Sequence, residues 1–119
     1  MIQKKTLLIP IDRCGVWWVK TIHLYLGWFR KVSYTNDFIK VSVKLTKPLN
    51  KLKKKTKSVG IIIRTKKEIL KNDGSLLCFN ANNLILLKKR MTPRGKELFG
   101  PAIWILRKKK FRASFSGIL

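Results

Sequence analysis

"FIKVSVKL", Phe38 to Leu45, sets Ile39, Val41 and Val43 against Lys40, Ser42 and Lys44 in strict alternation. A period of two puts apolar side chains on one face of an extended chain and polar ones on the other, so the stretch predicts a half-buried β-strand. Neighbouring segments read the same way. Trp17 to Leu26 is rich in aromatic and β-branched residues, Ser58 to Thr65 is an isoleucine-rich run through Gly60, and "NLILL" from Asn83 follows a turn signal.

The residues between these runs are turn formers. Asp73-Gly74 ahead of "LLCF" predicts a tight type I′ hairpin, because Asp-Gly supplies positive φ angles. Pro48 closes the second strand, and "NKLKKKTK" from Asn50 to Lys57 is too repulsive to pack inside; a flexible, exposed loop is expected at about 47–57. Pro93, Gly95, Gly100 and Pro101 mark a second loop, after which "AIWILRKKKF" predicts a short helix within a basic segment at about 101–119. The expected fold class is mainly β: a small five-stranded β-barrel with a basic loop or hairpin and a short C-terminal helical region, one domain over 1–119.

Charge narrows the function. The chain carries 28 Lys+Arg against 5 Asp+Glu, a formal net charge of +23 over 119 residues. Self-repulsion on that scale opposes compaction unless a polyanion neutralises it, and nucleic-acid phosphate is the commonest one. Four clusters and one strand face carry the candidates: Lys51, Lys53, Lys54 and Lys55 on the loop; Arg64, Lys66 and Lys67 issuing from the isoleucine strand; Lys88, Lys89, Arg90 and Arg94; Arg107 and Lys108 with the cations after them; and Lys40 and Lys44 on the polar face of the strand from Phe38 to Leu45. Loop lysines supply attraction, whereas Arg64 on a packed strand can present a fixed fork to phosphate. The alternative for each cluster is a solvated face.

Catalysis and metal binding have little to work with. Cys14 and Cys78 form no CxxC pair and His23 is the lone histidine, so no four-ligand zinc site can be built from this chain alone; two reduced, partly buried thiols and a strand histidine are expected. The five acids, Asp12, Asp37, Glu68, Asp73 and Glu97, are scattered as turn or cap residues. No enzyme, cofactor or metal is expected. The N-terminal "MIQKKTLLIP" matches neither a signal peptide nor an organellar presequence, and "VWWVKTIHLYLGWF" falls short of the roughly 20 apolar residues of a membrane span. A basic membrane-surface protein using that window with Arg13, Arg30 and Lys31 is the competing class; the alternation from Phe38 to Lys44 argues against the amphipathic helix it would need.

Taken in order, "MIQ" with Thr6, Asp12 and Gly15, Asp37 with Ile39-Lys40, Pro48 with Lys51, "RTKK" at Arg64 to Lys67, "DGS" at Asp73 to Ser75, Phe79, Asn82, "FGP" at Phe99 to Pro101 and Leu106-Arg107 resemble the ribosomal protein fourteen family of the large subunit, bacterial and organellar type. The resemblance covers nearly the whole chain. It implies a five-stranded barrel seated on large-subunit rRNA, touching neighbouring ribosomal proteins and, at an intersubunit bridge, small-subunit rRNA, with no membrane partner. The chain departs from the family pattern at Arg13-Cys14, and at Val16, Trp17 and Trp18 where two cations are usual; these tryptophans are expected either to be covered by a protein neighbour or to stack on bases. Asn36 and Asn50 replace glycines and are expected to keep left-handed turns. A composition rich in lysine and isoleucine and poor in alanine, with no presequence, points to a mitochondrial ribosome and an organelle-encoded chain, the alternative being a bacterial cytoplasm.

Overall fold

A computed structural model describes residues 1–25, 27–95, 97–102 and 117–118. Five strands, β1 (Leu7–Pro10), β2 (Val16–His23), β3 (Phe38–Thr46), β4 (Lys57–Arg64) and β7 (Asn83–Leu87), close into a barrel in that order. The pairs are antiparallel except for β1 with β7, which run parallel with Ile9 opposite Asn83. Two short pairs lie outside the barrel: β5 (Ile69–Leu70) with β6 (Leu76–Leu77), and β8 (Glu97–Leu98) with β9 (Gly117–Ile118). The C-terminal helix expected from "AIWILRKKKF" falls on 103–116, outside the described residues, as do Arg107 and Lys108.

The alternation that opened the sequence holds. Ile39, Val41 and Val43 are fully buried inside the barrel beside Leu8, Val19, Ile62, Leu84 and Leu86, while Lys40 and Ser42 are half-buried and Lys44 is exposed. The isoleucine run departs from simple alternation, because both faces of β4 are covered. Ile62 enters the interior, and Ile61 and Ile63 join Ile85, Leu87, Ile11 and Leu98 in a second apolar cluster against the outside of the wall. Gly60 makes the close packing possible: a Cβ there would lie 2.4 Å from Leu84 Cδ1 and 3.1 Å from the Ile85 carbonyl oxygen.

Two turns correct the sequence reading. The β5–β6 hairpin forms, but its turn is not type I′, which needs positive φ at both central residues. Gly74 N–H donates to the Lys71 carbonyl (3.1 Å), Lys71 N–H to the Ser75 carbonyl (2.9 Å), and of the turn residues Gly74 alone is left-handed, at φ +85°. Asp73 stays in ordinary backbone space because its carboxylate accepts from both Ser75 N–H (3.0 Å) and Ser75 Oγ (2.6 Å), which hold its carboxyl below the usual range. Asn36 takes the left-handed turn as expected (φ +67°), but in the lysine loop Leu49 takes it (φ +60°) and Asn50 does not. Asn50 is occupied otherwise: its Nδ2 donates to the Cys14 carbonyl at 3.0 Å.

Candidate nucleic-acid interface

Strand directions sort the candidate cations between the two ends of the barrel. β3 ends, β4 begins and β7 ends at one rim, where Val59 lies opposite Leu87, so the loop from Lys47 to Thr56 and the turn from Lys88 to Thr92 emerge side by side. At the other rim β4 ends opposite the start of β7, and Arg64, Lys66 and Lys67 leave it together. Lys51, Lys53, Lys54, Lys55, Lys66, Lys67, Lys88 and Lys89 are all exposed.

The lysine loop is anchored rather than loose. Leu52 is buried among the interior residues, a contact hidden in the sequence by the five lysines around it. Lys47 N–H donates to the Gly15 carbonyl (2.9 Å), Asn50 fastens to Cys14, and Lys55 N–H reaches the Val43 carbonyl (2.9 Å) with φ at +67°. The lysine ammoniums therefore project from a fixed backbone, which lowers the ordering cost of binding a phosphate surface. The adjoining turn is similarly closed, by Met91 N–H to the Lys88 carbonyl (2.9 Å) and Lys88 N–H to the Thr92 carbonyl (2.7 Å). Arg94 behind it is half-buried; its N–H donates to the Leu86 carbonyl (3.0 Å) and its Nε is buried with no hydrogen-bond partner.

At the opposite rim the four residues of "RTKK" divide their work. A bulge in β4 between Ile62 and Arg64 breaks the period of two, and the Arg64 guanidinium is re-aimed outward, where Nη2 donates to the Phe99 carbonyl and both terminal nitrogens crowd Gly100. Burial lowers the Arg64 pKa from its usual value, and its Nε is buried without a partner. The free phosphate fork expected at Arg64 is thus partly spent on holding the "FGP" segment, since the Phe99 carbonyl takes up one of its donors. Thr65 is buried, its Oγ1 donating to the Lys67 carbonyl (3.2 Å), and Lys66 N–H donates to Asn82 Oδ1 (2.8 Å). Asn82 thereby sets the direction in which Lys66 and Lys67 leave the barrel. Ile2 bridges Ser33 in the loop between β2 and β3, which places the N-terminus at this rim, and burial, then Lys67, lowers the pKa of the Met1 ammonium.

Away from the cations, Cys14 is half-buried and Cys78 exposed, so the expectation of two partly buried thiols holds for Cys14 alone. Burial and the neighbouring Asp12 carboxylate push the Cys14 thiol up to about 12. Burial also raises the pKa of Asp12, which accepts from Cys14 Sγ (3.4 Å) and Gly95 N–H (3.2 Å) and so fastens the chain at Gly95 to the loop between β1 and β2. Arg13, paired to Glu97 at 2.9 Å, lies 4.7 Å from the centre of the Phe99 ring. Among the described residues, no three His, Cys, Asp or Glu side chains come together as a metal site, and no helix is long and apolar enough to cross a membrane.

A family model described as ribosomal protein L14p/L23e matches residues 1–117. Over 117 residues the chain is 55% identical to a large ribosomal subunit protein, uL14m, of Tetrahymena pyriformis, covering 98% of this chain and 98% of that protein.

Proposed function

The chain belongs to the ribosomal protein L14p/L23e family, and from that premise we propose that it is a structural, non-enzymatic constituent of the large subunit of a mitochondrial ribosome, gripping ribosomal RNA from both rims of its barrel. The observation that carries the RNA reading is the way the cations are mounted: Lys51, Lys53, Lys54 and Lys55 on a loop pinned by Leu52 and Asn50, and Lys66 and Lys67 on a backbone pinned by Asn82. A surface kept only for solubility has no use for buried anchors beneath its lysines. Lys88 and Lys89 extend the first rim; Arg64 contributes through the guanidinium donors that the Phe99 carbonyl leaves over, Arg94 through the part of its guanidinium that burial leaves accessible, and Lys40 and Lys44 act from the outer face of β3. Arg107 and Lys108 complete the proposed set from the basic C-terminal segment.

Such binding is governed by phosphate rather than base identity. Neighbouring large-subunit proteins and an intersubunit contact with small-subunit rRNA, which the family resemblance implies, belong to the surfaces between the rims. The test is binding of the full chain to a structured large-subunit rRNA fragment at a series of salt concentrations. About 6 phosphate contacts give a log-log slope near −5 (roughly 0.9 per contact), and each lysine-to-alanine change at 53, 54, 66 or 67 removes about one unit. A flat salt response, or a tagged chain that fails to sediment with the large subunit, rejects the proposal.

A further inference from the structure

We infer that the loop joining β2 to β3 is a base-stacking site, in which Trp28 and Phe29, flanked by Lys4, Arg30 and Lys31, hold one unpaired nucleotide of RNA. The inference rests on the RNA reading above and adds a contact of a different kind. Both ends of the loop are fixed. Leu24 is buried in the interior, Ile2 and Ser33 exchange backbone hydrogen bonds of 2.7 and 2.8 Å, and Arg30 donates to the Val32 carbonyl (2.9 Å) while pairing with the Asp37 carboxylate. Asp37 also accepts from Tyr34 N–H (2.7 Å), and the Asn36 and Asp37 backbones bond to Ile62 at the end of β4 (2.8 and 3.1 Å).

From that base the chain turns at Tyr25 (φ +56°) and Gly27 (φ +96°) and presents two rings to solvent. Trp28 and Phe29 are each 76% exposed, and they pack on one another, centroids 3.9 Å apart and planes 31° apart, rather than on the core. Their mutual contact leaves an outer aromatic face on which a base can extend the stack. Beside them is a hollow of about 360 Å³ lined by Gln3, Lys4, Trp28, Arg30 and Lys31.

Charge decides between RNA and protein as occupant. The residues around the rings are cationic, and the nearby carboxylate, Asp37, is already engaged by Arg30. A nucleotide supplies a π face for the rings and a phosphate for Lys4 and Lys31 in one group, and every base has such a face, so the site discriminates little among sequences. The loop also opens at the rim that carries Arg64, Lys66 and Lys67, so a strand held by those cations passes within its reach.

The experiment titrates the full chain, its Trp28→Ala, Phe29→Ala and Trp28→Phe variants and Lys31→Ala with single-stranded octauridylate and octaadenylate and with an RNA duplex of equal length, over a range of salt. Loss of either ring is expected to weaken single-strand binding by roughly 5- to 150-fold at every salt concentration, with duplex affinity, salt slope and melting temperature unchanged. Trp28→Phe should retain most of the affinity, and Lys31→Ala should reduce the slope by about one unit. If the wild type shows salt-dependent binding and Trp28→Ala and Phe29→Ala match it on single strands, the stacking site is overturned while the phosphate reading stands. If the wild type shows no salt-dependent binding, the phosphate reading fails and takes the stacking site with it. Normal RNA binding together with loss of a neighbouring protein from purified subunits would make the occupant a protein and also overturn the inference.

Discussion

The β4–β7 wall of the barrel is buried on both faces, whereas the outer faces of β1, β2 and β3 leave Leu7, Trp17, Trp18, Ile22 and Leu45 open to solvent. Both walls carry large apolar residues on their outer faces, so an apolar outer face alone does not separate them. What separates them is the segment from Pro93 to Ala102, which crosses the outside of β4 and β7 and brings Leu98 down on Ile61, Ile63, Ile85 and Leu87. An apolar outer face is therefore a statement about a covering partner. On one wall the segment bearing Leu98 supplies the cover; on the other, Leu7, Trp17, Trp18, Ile22 and Leu45 stay open among the described residues.

The comparison is broken most directly at the isoleucines. Ile62→Ala and Ile63→Ala should each cost about 2–5 kcal/mol in urea or thermal unfolding, one by emptying the interior and the other by emptying the second cluster. If Ile63→Ala proves nearly neutral, the outer cluster contributes little to stability and the two walls are alike. Next in size is Gly60→Ala, which drives a methyl into Leu84 and should cost about 1–3 kcal/mol. Because the obstacle is a side-chain tip, pairing it with Leu84→Ala should give a combined loss smaller than the sum of the single losses.

Arg64→Ala removes the guanidinium that ties the end of β4 to the Phe99 carbonyl, and a loss of about 1–2 kcal/mol is expected, with no recovery in Arg64→Lys. Such a result would show that Arg64 acts on the fold, whereas the sequence assigns it to RNA alone. Ile22→Ala on the open wall should change the isolated chain by less than about 0.5 kcal/mol; a larger loss would mean that this face is already covered.

The smallest effect leaves stability at neutral pH untouched. At pH 8 an alkylating agent should modify Cys78 rapidly and Cys14 only after denaturation, one thiol in the native chain and two in the unfolded one. The Cys14 thiol titrates higher when folded (about 12) than when unfolded (9.0). Its stabilising contribution is therefore fully present below about pH 9 and is lost as the pH rises towards 12.

Local pattern made much of this legible. The alternation at Phe38 to Leu45, the isoleucine run and "NLILL" locate β3, β4 and β7, and Asp73-Gly74 locates a hairpin. The double burial of β4 was not legible, because it depends on Leu98, distant in sequence, folding across the wall. Nor was the anchoring of the lysine loop, since Leu52 is a single apolar residue in a cationic run and hydropathy averaged over neighbours erases it. The candidate cations Lys51, Lys53, Lys54, Lys55, Lys66 and Lys67 could be named from charge, but the partial commitment of Arg64 required a bulge that no period reports. Trp28-Phe29 followed by Arg30-Lys31 carried a signal, aromatics abutting cations, that is lost when the segment is read only as part of an apolar window.

Closure of the barrel through the parallel pairing of β1 with β7 also governs the order in which the chain can fold. Asn83 Nδ2 donates to the Ile9 carbonyl across a separation of 74 residues. As the polypeptide leaves the synthesising ribosome, β1 to β4 can form their antiparallel meander, but its interior stays unsealed along one seam until Asn83 to Leu87 has emerged. Such distant pairing raises contact order and slows folding, because the loop must close before its contacts are gained. During that interval the isoleucines of β4 are exposed next to a lysine-rich surface. Residues 1–82 already carry 18 Lys+Arg against 4 Asp+Glu, a net +14 of the full chain's +23, and like charge on that scale opposes association between incomplete barrels until β7 arrives.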